Sequence, residues 1–133
     1  MSWGEAAVPE QVCAARPAGP VDLAADLPYP LTADCRPDGD RTAVVLRGEI
    51  DRQAQEAVGR SLHDALRRSR RGVDLDLGGI SFIDCSGLNV LLDLRRRALR
   101  DGKTVVVRTA GPAVVRLLSL AGALTLFGQD AGT

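Results

Sequence analysis

The sequence predicts an α/β fold, a mixed sheet of about four to five strands with helices packed against it. Three observations carry that expectation. From about residue 31, stretches with the alternating period of strands take turns with stretches of helical period. The helical stretches open on Asp or Pro, which suit a first turn, and close on Gly. The apolar residues are almost all aliphatic, 45% of the chain being hydrophobic and only 3% aromatic, so the core is built from Ala, Val, Leu and Ile.

The elements follow in order. LTADCRPDGDRTAVVLRG reads as a hairpin, with a weak strand at Leu31 to Cys35, a turn at Pro37-Asp38-Gly39-Asp40 and a firm strand at Thr42 to Arg47. Gly48-Glu49-Ile50-Asp51 is expected to break that strand, with Asp51 capping the helix that follows. Ala54, Ala57, Val58, Ser61, Leu62, Ala65 and Leu66 then share one helical face, and Gly72 ends the helix. VDLDLGGISFI alternates Val73, Leu75 and Leu77 with Asp74 and Asp76, a strand with one wet face.

Leu88, Leu91, Leu92, Ala98 and Leu99 mark a second helix, closed by Asp101-Gly102. KTVVVR, Lys103 to Arg108, is a β-branched strand expected in the sheet interior. A third helix starts at Pro112 and buries Val114, Leu117, Leu118 and Ala121 before Gly122. LTLF, Leu124 to Phe127, is expected as the last strand, giving the order β-β-α-β-α-β-α-β. The first 30 residues carry Pro9, Pro17, Pro20, Pro28 and Pro30 and are read as a flexible extension. The domain is expected over 31–128, with a short tail at 129–133.

Bulk composition narrows the function. At 133 residues the chain has room for one domain. Seventeen basic and seventeen acidic residues cancel, so nothing draws the chain generally to nucleic acid or an anionic membrane. The one basic cluster, Arg67 to Arg71, reads as a solvated helix end that complements the helix dipole, with a binding patch as the rival. Cys13, Cys35 and Cys85 are odd in number and form no CxxC pair, which fits a reducing cytoplasm. The N-terminal stretch lacks the basic start and apolar core of a secretory signal, and no apolar run approaches membrane-spanning length.

The chemistry concentrates in SFIDCSGLNVLL, residues 81 to 92, where a strand end meets a helix start. Ser86 is a poor nucleophile candidate: Asp84 stands where a hydrolase elbow needs glycine, and His63 is the sole histidine, expected on the solvated surface. The stretch lacks the order and the lysine of a phosphate-binding loop. Asp51, Asp74, Asp76 and Asp84 match no metal-loop spacing, so neither metal nor cofactor is expected. Cys85 reads as a buried or inert thiol, with a redox sensor as the rival. Two readings of Ser86 stay open on residues alone. Either it, or Asp84 in its place, is simply the helix cap; or it is a first-turn serine where a phosphate would meet free backbone N–H groups and the helix dipole.

SFIDCSGLNVLL resembles the central motif of STAS domains, specifically of bacterial anti-sigma factor antagonists. LRGEID, Leu46 to Asp51, is similar to that family's junction between second strand and first helix, and KTVVVRTAGPAVVRLLSLAGA to its following strand and Pro-started helix. Cys85 stands where the family usually has Ser or Thr. The resemblance implies that Ser86 is the serine phosphorylated by a partner anti-sigma factor, itself an ATP-dependent serine kinase, and reset by a serine phosphatase. It implies a partner-binding surface at Asp51, Asp84, Cys85, Ser86, Gly87 and Leu88, on a chain that is not an enzyme; the oligomeric state is left open, with a monomer expected when free. The alternative is a STAS scaffold or sensor module, without a switch, in a stress-signalling or lipid-transport assembly.

Overall fold

The computed structural model describes residues 21–23 and 27–127. The first twenty residues of the extension and the tail at 129–133 lie outside the described residues. Five strands form one sheet in chain order: β1 (Val21–Asp22), β2 (Leu31–Asp38), β3 (Arg41–Ile50), β4 (Gly72–Ile83) and β5 (Thr104–Ala110). The pairs β1–β2 and β2–β3 are antiparallel, whereas β3–β4 and β4–β5 are parallel. Between the parallel strands run α1 (Gln55–Arg68), entered through a 3₁₀ turn at Arg52–Ala54, and α2 (Cys85–Arg100). Helix α3 (Pro112–Leu120) and a 3₁₀ turn at Leu124–Phe127 close the described chain.

The period-2 residues deliver the core. Val44, Leu46, Val73, Leu75, Val105 and Val107 are buried on the helix-covered face; the 3₁₀ turn ahead of α1 adds Ala54, and α1 adds Val58, Leu62, Ala65 and Leu66. From α2 come Leu88, Val90, Leu91, Leu94 and Ala98. Asp74 and Asp76 fall on the opposite face, half-buried rather than fully wet. There Arg41 makes a clasp across three strands. Its Nε donates to Asp74 Oδ1 at 2.7 Å, and its terminal nitrogens donate to the carbonyls of Arg71, Val73 and Thr104 and to Thr104 Oγ1. This clasp fixes the end of the sheet where the parallel strands begin; the other end holds the candidate site.

Several expectations are corrected. Val21 and Asp22, read as part of the flexible extension, pair with Ala33 and Thr32 as an edge strand. The second strand of the hairpin does not break at Gly48. It continues to Ile50 through register shifts on either side of that residue. Gly48 has φ +122, and a Cβ there would lie 2.1 Å from the Pro30 carbonyl oxygen. A glycine that permits both the left-handed backbone and the close approach makes a bulge instead of a stop.

Helix α1 ends at Arg68 with Ser69 as its C-cap, and Gly72 starts the next strand instead of ending the helix. The strand expected in the interior, β5, is the edge of the sheet; its burial comes from α2 and α3 on one face. Leu99 and Ala121, assigned to helix cores, are exposed. LTLF is not a strand. After Gly122, at φ +67, the Ala123 N–H returns to the Leu118 carbonyl and Gly122 N–H to that of Ser119, a Schellman ending. The chain thereby turns back, so the apolar residues curl as a 3₁₀ turn that buries Phe127 completely.

Candidate functional site

The site forms where β3 and β4 end side by side. Ile50 and Ile83 are register partners, and the Asp84 N–H donates to the Ile50 carbonyl at 3.3 Å. The next residue of each strand, Asp51 and Asp84, therefore stands beside its counterpart. Each has extended backbone and caps the following helix. Asp51 Oδ1 accepts from the N–H groups of Gln53 (2.9 Å) and Ala54 (3.3 Å). Asp84 Oδ1 accepts from those of Ser86 (2.9 Å) and Gly87 (3.3 Å). Capping of this kind satisfies two amides that a helix start otherwise leaves without partners.

The question left open by the sequence is answered here: Asp84 is the cap, and Ser86 is not. Ser86 is the second residue of α2, half-buried, and its Oγ has no hydrogen-bond partner among the described residues. The expectation that a phosphate on it would meet free amides needs correction. The N–H groups of Ser86 and Gly87 are already taken by Asp84, so a phosphate would arrive beside a carboxylate that holds them.

The other residues of the expected surface divide into two kinds. Cys85 is exposed, which corrects the burial half of its reading as a buried or inert thiol. Gly87 and Leu88 are buried, Leu88 to 8% exposure. A Cβ on Gly87 would meet Ile83 Cγ1 at 2.6 Å and Ile50 Cγ2 at 3.0 Å. Gly87 thus lets α2 start hard against the two strand ends. Asp51, Asp84, Cys85 and Ser86 are brought together at the surface; Gly87 and Leu88 support them from below.

Sequence reasoning missed Tyr29. Its hydroxyl donates to Asp51 Oδ1 from 22 residues upstream. Burial raises the Tyr29 pKa, as do the hydrogen bond to Asp51 and the charges of Asp51, Glu49 and Asp84, to about 12. The Tyr29 hydroxyl in turn holds the Asp51 carboxyl below its ordinary value, helped by the amides of Gln53 and Ala54. The available signal was that Tyr29 is the chain's one tyrosine, set between two prolines. Three hydrogen bonds from Tyr29, Gln53 and Ala54 converge on Asp51 Oδ1, and two from Ser86 and Gly87 on Asp84 Oδ1.

His63 is also corrected. It is not on the solvated surface but half-buried between α1 and α2, with Nε2 3.4 Å from Asp93 Oδ2. Burial, with the positive charge of Arg97, outweighs that carboxylate and lowers its pKa. It is remote in sequence and element position from Ser86, at mid-helix in α1. Among the described residues no cluster of three or more His, Cys, Asp or Glu side chains could hold a metal ion. No described helix is long and apolar enough to cross a membrane.

The topology and the capped strand ends define a STAS-type α/β domain. The family described as "Mlab, STAS domain" matches residues 34–127. The chain belongs to the STAS domain family. It is similar to an anti-sigma F factor antagonist from Paenibacillus polymyxa, 32% identical over 80 residues that span 59% of this chain and 68% of that one. Among solved structures, an anti-sigma factor antagonist from Mycobacterium paratuberculosis superposes with a TM-score of 0.62 at 26% identity, covering 73% of this chain and 82% of the other. The anti-sigma factor antagonist SpoIIAA in its unphosphorylated form shares the fold, with a TM-score of 0.56 at 20% identity over 68% of this chain and 81% of its own.

Proposed function

We propose that this chain is an anti-sigma factor antagonist switched by phosphorylation of Ser86. In the unphosphorylated state it binds an anti-sigma factor that is also a serine kinase, and a sigma factor is released. The kinase transfers the γ-phosphoryl group of ATP to Ser86 Oγ, the hydroxyl proton is lost and ADP leaves. The modified chain then lets go, and a serine phosphatase restores the hydroxyl by hydrolysis. The chain is substrate and binding module rather than enzyme, and its setting is the cytoplasm, where ATP and sigma factors are found.

One observation carries the reading: Asp84 caps α2, so the Ser86 hydroxyl has no structural bond to give up. A serine whose only task was capping would make that bond itself. The switch has a physical basis in the same geometry. Phosphorylation adds about −1.5 to −2 charges next to Asp84 and near Asp51, whose carboxylates suit cationic donors on a partner. A partner fitted to two carboxylates and a neutral hydroxyl loses affinity when an unmatched dianion enters the interface. The related antagonists from Paenibacillus polymyxa and Mycobacterium paratuberculosis support the general role.

The test uses wild-type, Ser86→Ala and Ser86→Asp chains as baits in lysate of the native host, with captured proteins identified by mass. The expected result is an ATP-binding anti-sigma kinase held by wild type and Ser86→Ala and lost from Ser86→Asp. Capture of the same proteins by all three would replace the switch with a scaffold role.

A further inference from the structure

The Pro-Tyr-Pro segment before β2 is built into the site. The Pro30 carbonyl accepts the Glu49 N–H at 3.2 Å, and its oxygen sits where a side chain on Gly48 would have to be. On the other side, the Leu23 N–H donates to the Leu31 carbonyl at 2.8 Å. Pro28 and Pro30 restrict the backbone on both sides of Tyr29. The segment is therefore held at the end of β3, and Tyr29 reaches the first residue after that strand, Asp51.

The consequence lies in how the Asp51 carboxylate is used. The two amides of the 3₁₀ turn alone would let a capping carboxylate rock about its χ2 torsion, which is broad for Asp. A third donor on the same oxygen, from a different direction, fixes the plane of the group. All three of these donors use Oδ1, and none of them engages Oδ2. Asp84, with two amide donors and no tyrosine, has the same oxygen engaged but lacks this third restraint.

We propose that Tyr29 is a positioning residue of the partner-binding surface, holding Asp51 Oδ2 in the orientation a cationic group of the partner accepts. The inference rests on the functional reading above and extends its surface into the segment ahead of β2. Tyr29 acts through Asp51. Its side chain is half-buried, and its hydroxyl is the group that meets that carboxylate.

The experiment has two arms on the full chain. In the first, the Asp51 carboxyl is titrated by carbon-detected NMR in wild type and Tyr29→Phe, with the melting temperature of each recorded. The Asp51 midpoint is expected to rise in Tyr29→Phe while the fold is retained; an unchanged midpoint overturns the proposal. In the second, binding to the purified ATP-binding kinase recovered by the wild-type bait is measured for wild type, Tyr29→Phe, Asp51→Asn and the double variant. Tyr29→Phe is expected to bind roughly tenfold more weakly, the scale of one hydrogen bond to a charged group. The double variant is expected to be no weaker than Asp51→Asn, because the two residues act as one unit.

A Tyr29→Phe chain that binds as wild type, while Ser86→Asp does not bind, overturns the role of Tyr29 and leaves the switch standing. Losses that add in the double variant also overturn it, since Tyr29 would then act independently of Asp51. If wild type recovers no kinase, the functional reading fails and this proposal falls with it.

Discussion

Asp51 and Asp84 stand side by side at the ends of two adjacent parallel strands, and each commits one carboxylate oxygen to the helix that follows it. The pairing is a product of topology. Parallel strands joined by helices bring their C-terminal ends, and the helix starts that follow, to one edge of the sheet, where open α/β folds carry their sites. Two capping residues 33 positions apart in sequence thereby become neighbours around Ser86.

Replacing Asp84 separates the cap from the proposed phosphorylation site. Asp84→Ala removes the acceptor for two first-turn amides and is expected to cost about 1 kcal/mol of stability. Ser86→Ala removes a hydroxyl without a described partner and is expected to change stability by less than about 0.5 kcal/mol. Urea denaturation of the two variants checks the order; a Ser86→Ala loss as large as that of Asp84→Ala would mean that Ser86 shares in the cap.

Gly87 is the tightest point of the site. Its added methyl group would lie 2.6 Å from Ile83 Cγ1, so Gly87→Ala must displace Ile83 or lift the start of α2. The expected cost is about 1–3 kcal/mol, typical of overpacking. Thermal unfolding measures it, and binding of the proposed kinase partner is expected to weaken as well, because the shift carries Ser86 with it.

The Tyr29–Asp51 contact predicts two pH dependences of opposite sense. Folding raises the Tyr29 pKa, so its contribution is complete below the phenol's unfolded value of about 10 and fades as pH rises through the folded value of about 12. Folding lowers the Asp51 pKa, so its contribution is complete above the unfolded value of about 3.9 and is lost as pH falls further. Because Tyr29 is the only tyrosine, phenolate absorbance reports it alone. At pH 10.5 the wild type is expected to stay almost wholly protonated, and Asp51→Asn to ionise at a lower pH. The urea midpoint of Asp51→Asn is also expected to fall less steeply than that of wild type below pH 4.

At the other end of the sheet, Arg41→Met removes the clasp on Asp74, Val73, Arg71 and Thr104. Among the described residues, Asp74, with its side chain 12% exposed, then keeps the ion pair with Arg108 at 3.6 Å. A loss of about 1.5–3 kcal/mol is expected, the range for hydrogen bonds to charged groups. Binding by the folded protein is expected to be unchanged, since the clasp lies at the opposite strand ends. Chemical denaturation and kinase capture on the same variant distinguish the two effects.

What the sequence determined by itself is what depends on neighbours within a few residues. The helical stripe of α1, the alternation of β4, the Asp51 cap and the glycines closing α2 and α3 are all local, set by side-chain period and backbone preference. Tertiary structure decided the rest. LTLF carries an apolar run compatible with strand or turn, and the Gly122 ending sent it back into the core as a 3₁₀ turn. KTVVVR reads alike at the centre or the edge of a sheet, and the order of strands, which no local period encodes, put it at the edge. Asp84 and Ser86 are both good caps in isolation; the backbone turn at the end of β4 gave the capping position to Asp84 and left Ser86 as the second residue of the helix. Tyr29 met Asp51 only because Gly48, lacking a side chain, let Pro30 pack against β3. Contacts of that kind join residues far apart in sequence, and the periodicity around either partner carries no trace of the other.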